Sequence, residues 1–421
     1  MTVVVTGAGV LSAIAAGVEE FAAALRAGRS GIAARGTGEL SADLAGFDFG
    51  AAVAARYRLA EPIRRAALRA AARAPLPVQA AVTVALQAWE AAGLHAEPVP
   101  ADRTGVVVGG HNLGGAYADA VRPRYRASPA YLPGRYALRY LDTDHVGTVS
   151  QVLGITGEGC TVGGASASGN AAIVHGCRLV ACGEVDACLV IGALTELSAM
   201  ERQAFVNLGA LAGAGANGGR HSDAEPATLC RPFDEDRAGF VPGQAAACLV
   251  LESAESARRR GARALATVAG YALRLDGNSL ADPDPAGEAR VMAEALRRAG
   301  LGPGEVDYVN THGTGSRLGD EAEVAALRKV FGSDLGRPWL NSTKGLVGHG
   351  LCAAGVVEAV AALVQLRDGF VHPNANLARP IDGECRFAGG RAEPAELTVA
   401  MSNGFGFGGF NSSVVFVGPG R

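Results

Sequence analysis

Short runs rich in β-branched residues alternate with Ala-rich stretches along the whole chain, and that alternation admits few folds. The runs are Val3 to Val5, Gly105 to Val108, Cys188 to Ile191, Ala246 to Leu251, Ala266 to Val268, Val306 to Val309, Leu397 to Met401 and Val414 to Val417. Between them lie Ala80 to Ala92, Gly169 to Ala181, Gly287 to Ala299, Asp320 to Val330 and Gly355 to Leu366, each with apolar residues at helical spacing. Strand and helix taking turns predicts an α/β protein. Two stretches echo each other as strand, small-residue elbow and helix: Cys160 to Ala172, and Asn341 to Val357. They predict an internal duplication, with residues 1–252 as one half and 253–421 as the other. The charged stretch Glu252 to Ala264, expected to be helical, marks the boundary.

With 421 residues, 49% of them hydrophobic, the chain can bury a large core. Its 38 basic and 41 acidic residues are mixed along the sequence, so no global field favours nucleic acid or an anionic membrane. No run approaches the roughly 18 consecutive apolar residues of a membrane span. The opening Met1-Thr-Val-Val-Val-Thr-Gly enters a strand at once, without the pattern of a secretion signal, so the expected location is the cytoplasm. The eight cysteines form no CxxC pair, and they read as buried small hydrophobes in a reducing compartment.

Five segments carry chemistry or mimic it. Thr6-Gly-Ala-Gly-Val-Leu-Ser12 suggests a dinucleotide loop, but Ser12 stands where the third glycine belongs, and a tight strand-to-helix turn is the better reading. No cofactor is expected. Gly163-Gly-Ala-Ser166-Ala-Ser168-Gly-Asn170 sets small residues at a helix start, where free N–H groups favour a developing negative charge. Ser166 or Ser168 could face an active centre there, or simply cap the helix. His312, in Asn310-Thr-His-Gly-Thr314-Gly-Ser316, follows a strand, and His349, in Lys344-Gly-Leu-Val-Gly-His349, precedes a helix. Two histidines in glycine-rich elbows point to catalysis, whereas a zinc site lacks ligand spacing. Finally, Asn403-Gly-Phe405-Gly-Phe407-Gly-Gly-Phe410 fits either a gate over a pocket or a hairpin turn.

Taken in order, these motifs, with Arg231-Pro-Phe-Asp234 and Arg237-Ala-Gly-Phe240, resemble the β-ketoacyl-acyl carrier protein synthases of the thiolase superfamily. The resemblance implies a thiolase-like fold, two pseudo-repeated halves in five α-β-α-β-α layers, and a homodimer. It assigns His312 and His349 to the enolate oxygen formed when a malonyl thioester loses CO2, with Lys344, Glu358 and Asp320 in support. Phe407 becomes the gate, its N–H joining that of Ser166 in an oxyanion hole. Thr314 and Ser316 contact the pantetheine arm of an acyl carrier protein, and Arg64, Arg65 and Arg69 dock that protein unless, with Arg73, they are only a solvated helix face.

The family's nucleophilic cysteine falls on Ser166. Gln244 and Phe410 are further departures, at positions where an acid and a threonine are common. A hydroxyl needs an assisting base to become a nucleophile, whereas losing CO2 needs only donors at the enolate oxygen. The expectation is therefore a malonyl-carrier-protein decarboxylase, resembling those of polyketide β-branching cassettes. The rivals are a serine-based acyltransferase and a non-catalytic chain-length partner of a synthase.

Overall fold

The structure is a computed structural model that describes residues 1–36, 38–56, 58–213 and 225–419. Its strands are β1 (Val3–Leu11), β2 (Thr104–Gly109), β3 (Gly159–Val162), β4 (Ala187–Gly192), β5 (Ala246–Ser253), β6 (Ala266–Leu275), β7 (Tyr308–Asn310), β8 (Trp339–Asn341), β9 (Val399–Gly406) and β10 (Phe410–Val417). They join in one sheet of order β8-β7-β9-β10-β6-β1-β5-β4-β2-β3. The chain makes this arrangement twice. In each half two strands run parallel to the edge strand's neighbour (β3 and β4 to β2, β8 and β9 to β7), and two antiparallel strands follow (β5 and β1, β10 and β6). Only Val4↔Thr267 and Val5↔Ala266 pair across the seam between β1 and β6.

The helices that layer this sheet are α1 (Glu61–Ala71), α2 (Leu76–Ala91), α3 (Thr143–Leu153), α4 (Ser168–Ala181), α5 (Pro285–Ala299), α6 (Arg317–Phe331) and α7 (Ala354–Asp368). On one outer face α2 and α3 cover the first half, and on the other α5 and α6 cover the second. Between the halves lie α4 and α7, so the layers run α-β-α-β-α. Their sequences explain the position. Every residue of α7 from Ala354 to Leu366 is buried, as expected of a helix that is apolar all round. Each fully buried Val or Leu in such a layer contributes roughly 1.5–3 kcal/mol.

The two central helices touch at glycine. A Cβ on Gly169 would lie 2.8 Å from Val356 N, and one on Gly355 would lie 2.4 Å from Asn170 Oδ1. Neither atom fits, so the backbones meet directly at the start of each helix.

Three expectations are corrected here. The segment from Thr6 to Leu11 is not a turn but the second half of β1, buried throughout. Its glycines serve packing, because a Cβ at Gly7 or Gly9 would come within 2.4 Å of a carbonyl oxygen of α2. Glu252 is not on a charged surface helix either, since it lies in β5 with its side chain fully buried. There it accepts from Thr6 Oγ1, Ser256 Oγ and two nitrogens of Arg260, at 2.7–3.0 Å. The cysteines also divide, for Cys182 is exposed and Cys160 half-buried. Among the described residues no helix is long and apolar enough to cross a membrane.

Candidate active site

Matching elbows build the site. At the end of β3 the chain enters α4 through Ala165, and ahead of α7 it passes through Leu351, with φ of +48° and +50°. A left-handed alanine or leucine costs of order 1–3 kcal/mol, and the packed helices hold both in place. Ser166 follows the first and Cys352 the second, and both line one cavity of about 710 Å³. His312, two residues past β7, and His349 line the same cavity, and their rings stand 5.6 Å apart at 80°.

Hydrogen bonds define what each histidine offers. Leu351 N–H donates to His349 Nδ1 at 3.2 Å, which leaves the ring proton of the neutral imidazole on Nε2. That nitrogen lies 2.9 Å from Ser166 Oγ, so His349 donates to the serine and is no base for it. Lys344 Nζ approaches His312 Nδ1 at 3.5 Å, and an ammonium can only donate, so the proton of His312 is again on Nε2. Burial holds both rings well below the usual histidine pKa, helped by the neighbouring Lys344. The cavity therefore meets a ligand with two neutral N–H donors.

Buried charges brace these rings. Lys344 donates to the carbonyl of His312 at 2.6 Å and to Glu358, and both partners of that ion pair are almost fully buried. Burial raises the Glu358 carboxyl to about 7 against the pull of Lys344. Glu323, which the sequence reading overlooked, accepts from the N–H groups of His312 and Gly313 at 2.8 Å each and fixes the elbow. Asp320 sits one step away from the histidines. It accepts from Phe233, Thr314 and Gly315 N–H groups at 2.7–3.1 Å and so shapes the cavity wall. Burial lifts it to about 7.

The expected binding residues lie around this centre. Thr314 and Ser316 line the cavity and share a hydrogen bond of 2.9 Å. The late glycine-rich segment is a hairpin turn between β9 and β10, with φ of +88° at Gly408 and +72° at Gly409. It also lines the cavity, with Phe407 46% exposed at its tip and Phe405 buried beside His312. Of the arginines on α1, Arg64 and Arg65 both pair with Glu61. Gln244 accepts from Leu44 N–H at 3.0 Å. Among the described residues no group of three or more His, Cys, Asp or Glu side chains is placed to hold a metal ion.

The family model of the β-ketoacyl synthase N-terminal domain matches residues 1–257, and that of the C-terminal domain matches residues 265–378. The chain belongs to the β-ketoacyl synthase family. Among its relatives in that family is the polyketide biosynthesis malonyl-ACP decarboxylase PksF of Bacillus subtilis, 38% identical over 98% of this chain and 95% of PksF. A 3-oxoacyl-[acyl-carrier-protein] synthase 2 of Coxiella burnetii is 33% identical over 98% of this chain and 97% of its own length. The structure of the ishigamide ketosynthase/chain length factor superposes on all of this chain and 99% of its own, with a TM-score of 0.85 at 29% identity. This β-ketoacyl synthase homologue thus has the thiolase fold.

The sequence reading passed over three cavity residues: His111, Cys352 and Glu288. Glu288, on the first turn of α5, is 1% exposed, and its Oε2 is buried with no partner. Burial, then the acids Glu323, Asp276, Asp284 and Asp320, raises it well above the usual carboxylate range. A raised pKa means that the native chain binds this proton more tightly than the unfolded one. The stability it confers is full below the ordinary carboxylate pKa and is lost as pH rises. Glu288→Gln is expected to match the parent near pH 4 and to exceed it by about 1–3 kcal/mol at pH 8, in urea unfolding at each pH. A difference that does not grow with pH would mean that the carboxyl is solvated.

Proposed function

We propose that this chain is a ketosynthase-like decarboxylase that converts malonyl-acyl carrier protein to acetyl-acyl carrier protein during polyketide β-branching. The observation that carries this reading is the Ser166–His349 pair. His349 keeps its Nδ1 engaged by Leu351 and presents Nε2–H, so it cannot take the serine proton, and Ser166 has no base to make it a nucleophile. Turned from Ser166 to the substrate, the same N–H, with that of His312, is what a developing enolate oxygen needs. Similarity to PksF, whose name states this activity, supports the reading.

In this mechanism the carrier protein docks beside α1, where Arg69 and the more exposed Arg65 offer positive charge to an acidic surface. Its phosphopantetheine arm passes Thr314 and Ser316 under the Phe407 gate. The malonyl thioester oxygen accepts from His312 and His349, while the N–H groups of Ser166 and Phe407 form a second donor pair. The bond from Cα to the carboxylate breaks, its electrons move into the enolate, and CO2 leaves. The N-termini of α4 and α7 open beside this spot, and their dipoles add to the stabilisation of negative charge. A homodimer is part of the proposal.

Ser166→Ala is the informative variant. Malonyl-loaded carrier protein, followed by mass spectrometry of its arm, is expected to yield acetyl with the variant within about tenfold of the parent, with or without an acyl donor. Loss of turnover together with a stable ester on Ser166 of the parent would favour an acyltransferase. A β-ketoacyl product would mean that the serine condenses. Unchanged malonyl with both proteins would favour the non-catalytic partner.

A further inference from the structure

A condensing enzyme consumes its enolate on an acyl group, but a decarboxylase must finish by protonating the enolate carbon. We propose that His111 is the group that supplies this proton, an inference that rests on the decarboxylase reading. His111 lines the same cavity as Ser166, His312 and His349. Its Nε2 is buried and has no hydrogen-bond partner in the protein, which calls for a water or a ligand to complete it. It leans over the end of β3, the strand that delivers Ser166, since a Cβ on Gly163 would lie 3.4 Å from its Cδ2.

The backbone, not the ring, holds His111 in place. Gly110 N–H donates to Val162 O at 2.8 Å, and the carboxylate of Asp142 accepts from Asn112 and Leu113 N–H at 2.8–2.9 Å. Asn112 takes up the turn with a φ of +54°. The Nε2 of the ring is thereby left without a partner in the protein. The duplication places the residue as well: His111 stands two residues past the end of β2, as His312 stands two residues past β7, the equivalent strand.

Neither His312 nor His349 is as free. His312 and His349 each keep Nδ1 facing a donor, and burial opposes a second proton on either ring. Ser166 already accepts from His349, and its alkoxide would gain no cation beside it. The step balances: a ring nitrogen of His111 gives its proton to the enolate carbon, acetyl thioester results, and the ring recovers the proton from water.

The test is the fate of the enolate, followed with malonyl-carrier protein under excess ¹³CO2 for the parent, His111→Gln and His111→Phe. The parent is expected to form acetyl without labelling the remaining malonyl. Both variants should form acetyl roughly 100-fold more slowly, as befits loss of a general acid. They should also put ¹³C into malonyl, because an unprotonated enolate recombines with CO2. Variants that match the parent would overturn the proposal, and so would slow variants without label, since His111 would then act before the bond breaks. A parent that leaves malonyl untouched removes the decarboxylase reading itself, and the role of His111 with it.

Discussion

On the decarboxylase reading, His312→Ala and His349→Ala should each slow turnover of malonyl-carrier protein by about 10²–10³-fold, because each would remove one preorganised N–H donor worth roughly 3 kcal/mol at the enolate oxygen. The loss is expected in kcat far more than in KM, since the donors meet full charge only in the transition state. Their neutrality matters to this expectation. A charged imidazolium would bind the malonyl carboxylate and hold the ground state, whereas burial keeps both rings as uncharged donors. Turnover that survives in either variant would mean that the oxygen is held elsewhere. Steady-state kinetics with the arm weighed by mass spectrometry decides between these outcomes.

Lys344→Met is expected to destabilise the fold by about 3–5 kcal/mol, the usual consequence of leaving one member of a buried pair without the other. Glu358 would remain in a site 2% exposed, with its Oε2 already unpartnered. It escapes the charge by taking up a proton, and burial has already moved it to about 7. Pairing the change with Glu358→Leu should restore most of the stability but not the activity, because His312 still lacks the donor at its carbonyl and beside Nδ1. A double variant that is both stable and fully active would reduce Lys344 to packing. Urea unfolding and the same carrier-protein assay supply both measurements.

How far the sequence could be read depended on whether a residue's role is local. Alternating β-branched and Ala-rich segments located the strands and central helices, since periodicity is written within one element. The elbows at Ser166, His312 and His349 were legible for the same reason, as small residues beside a polar one at a strand or helix end. Gly7 and Gly9 were misread because a glycine forced by a helix 80 residues away looks like a glycine that makes a turn. Glu252 was misread as part of a charged helical stretch because its partner Thr6 is brought to it only by the fold. Glu288 is a cavity residue purely through long-range packing, whereas His111, after Gly109 and Gly110 at a strand end, and Cys352, three residues past His349, stand beside local signals that went unread.

The glycine contact between α4 and α7 has an evolutionary consequence. The separation of Ser166 from His349 is set where Gly169 meets Val356 and Gly355 meets Asn170, main chain against main chain. No side chain at position 166 takes part in that contact. The reactive group can therefore be exchanged while the donors opposite it stay in register. A lineage that starts from one chemistry at this elbow can explore another in a single substitution, keeping the pair of histidine donors intact at every step.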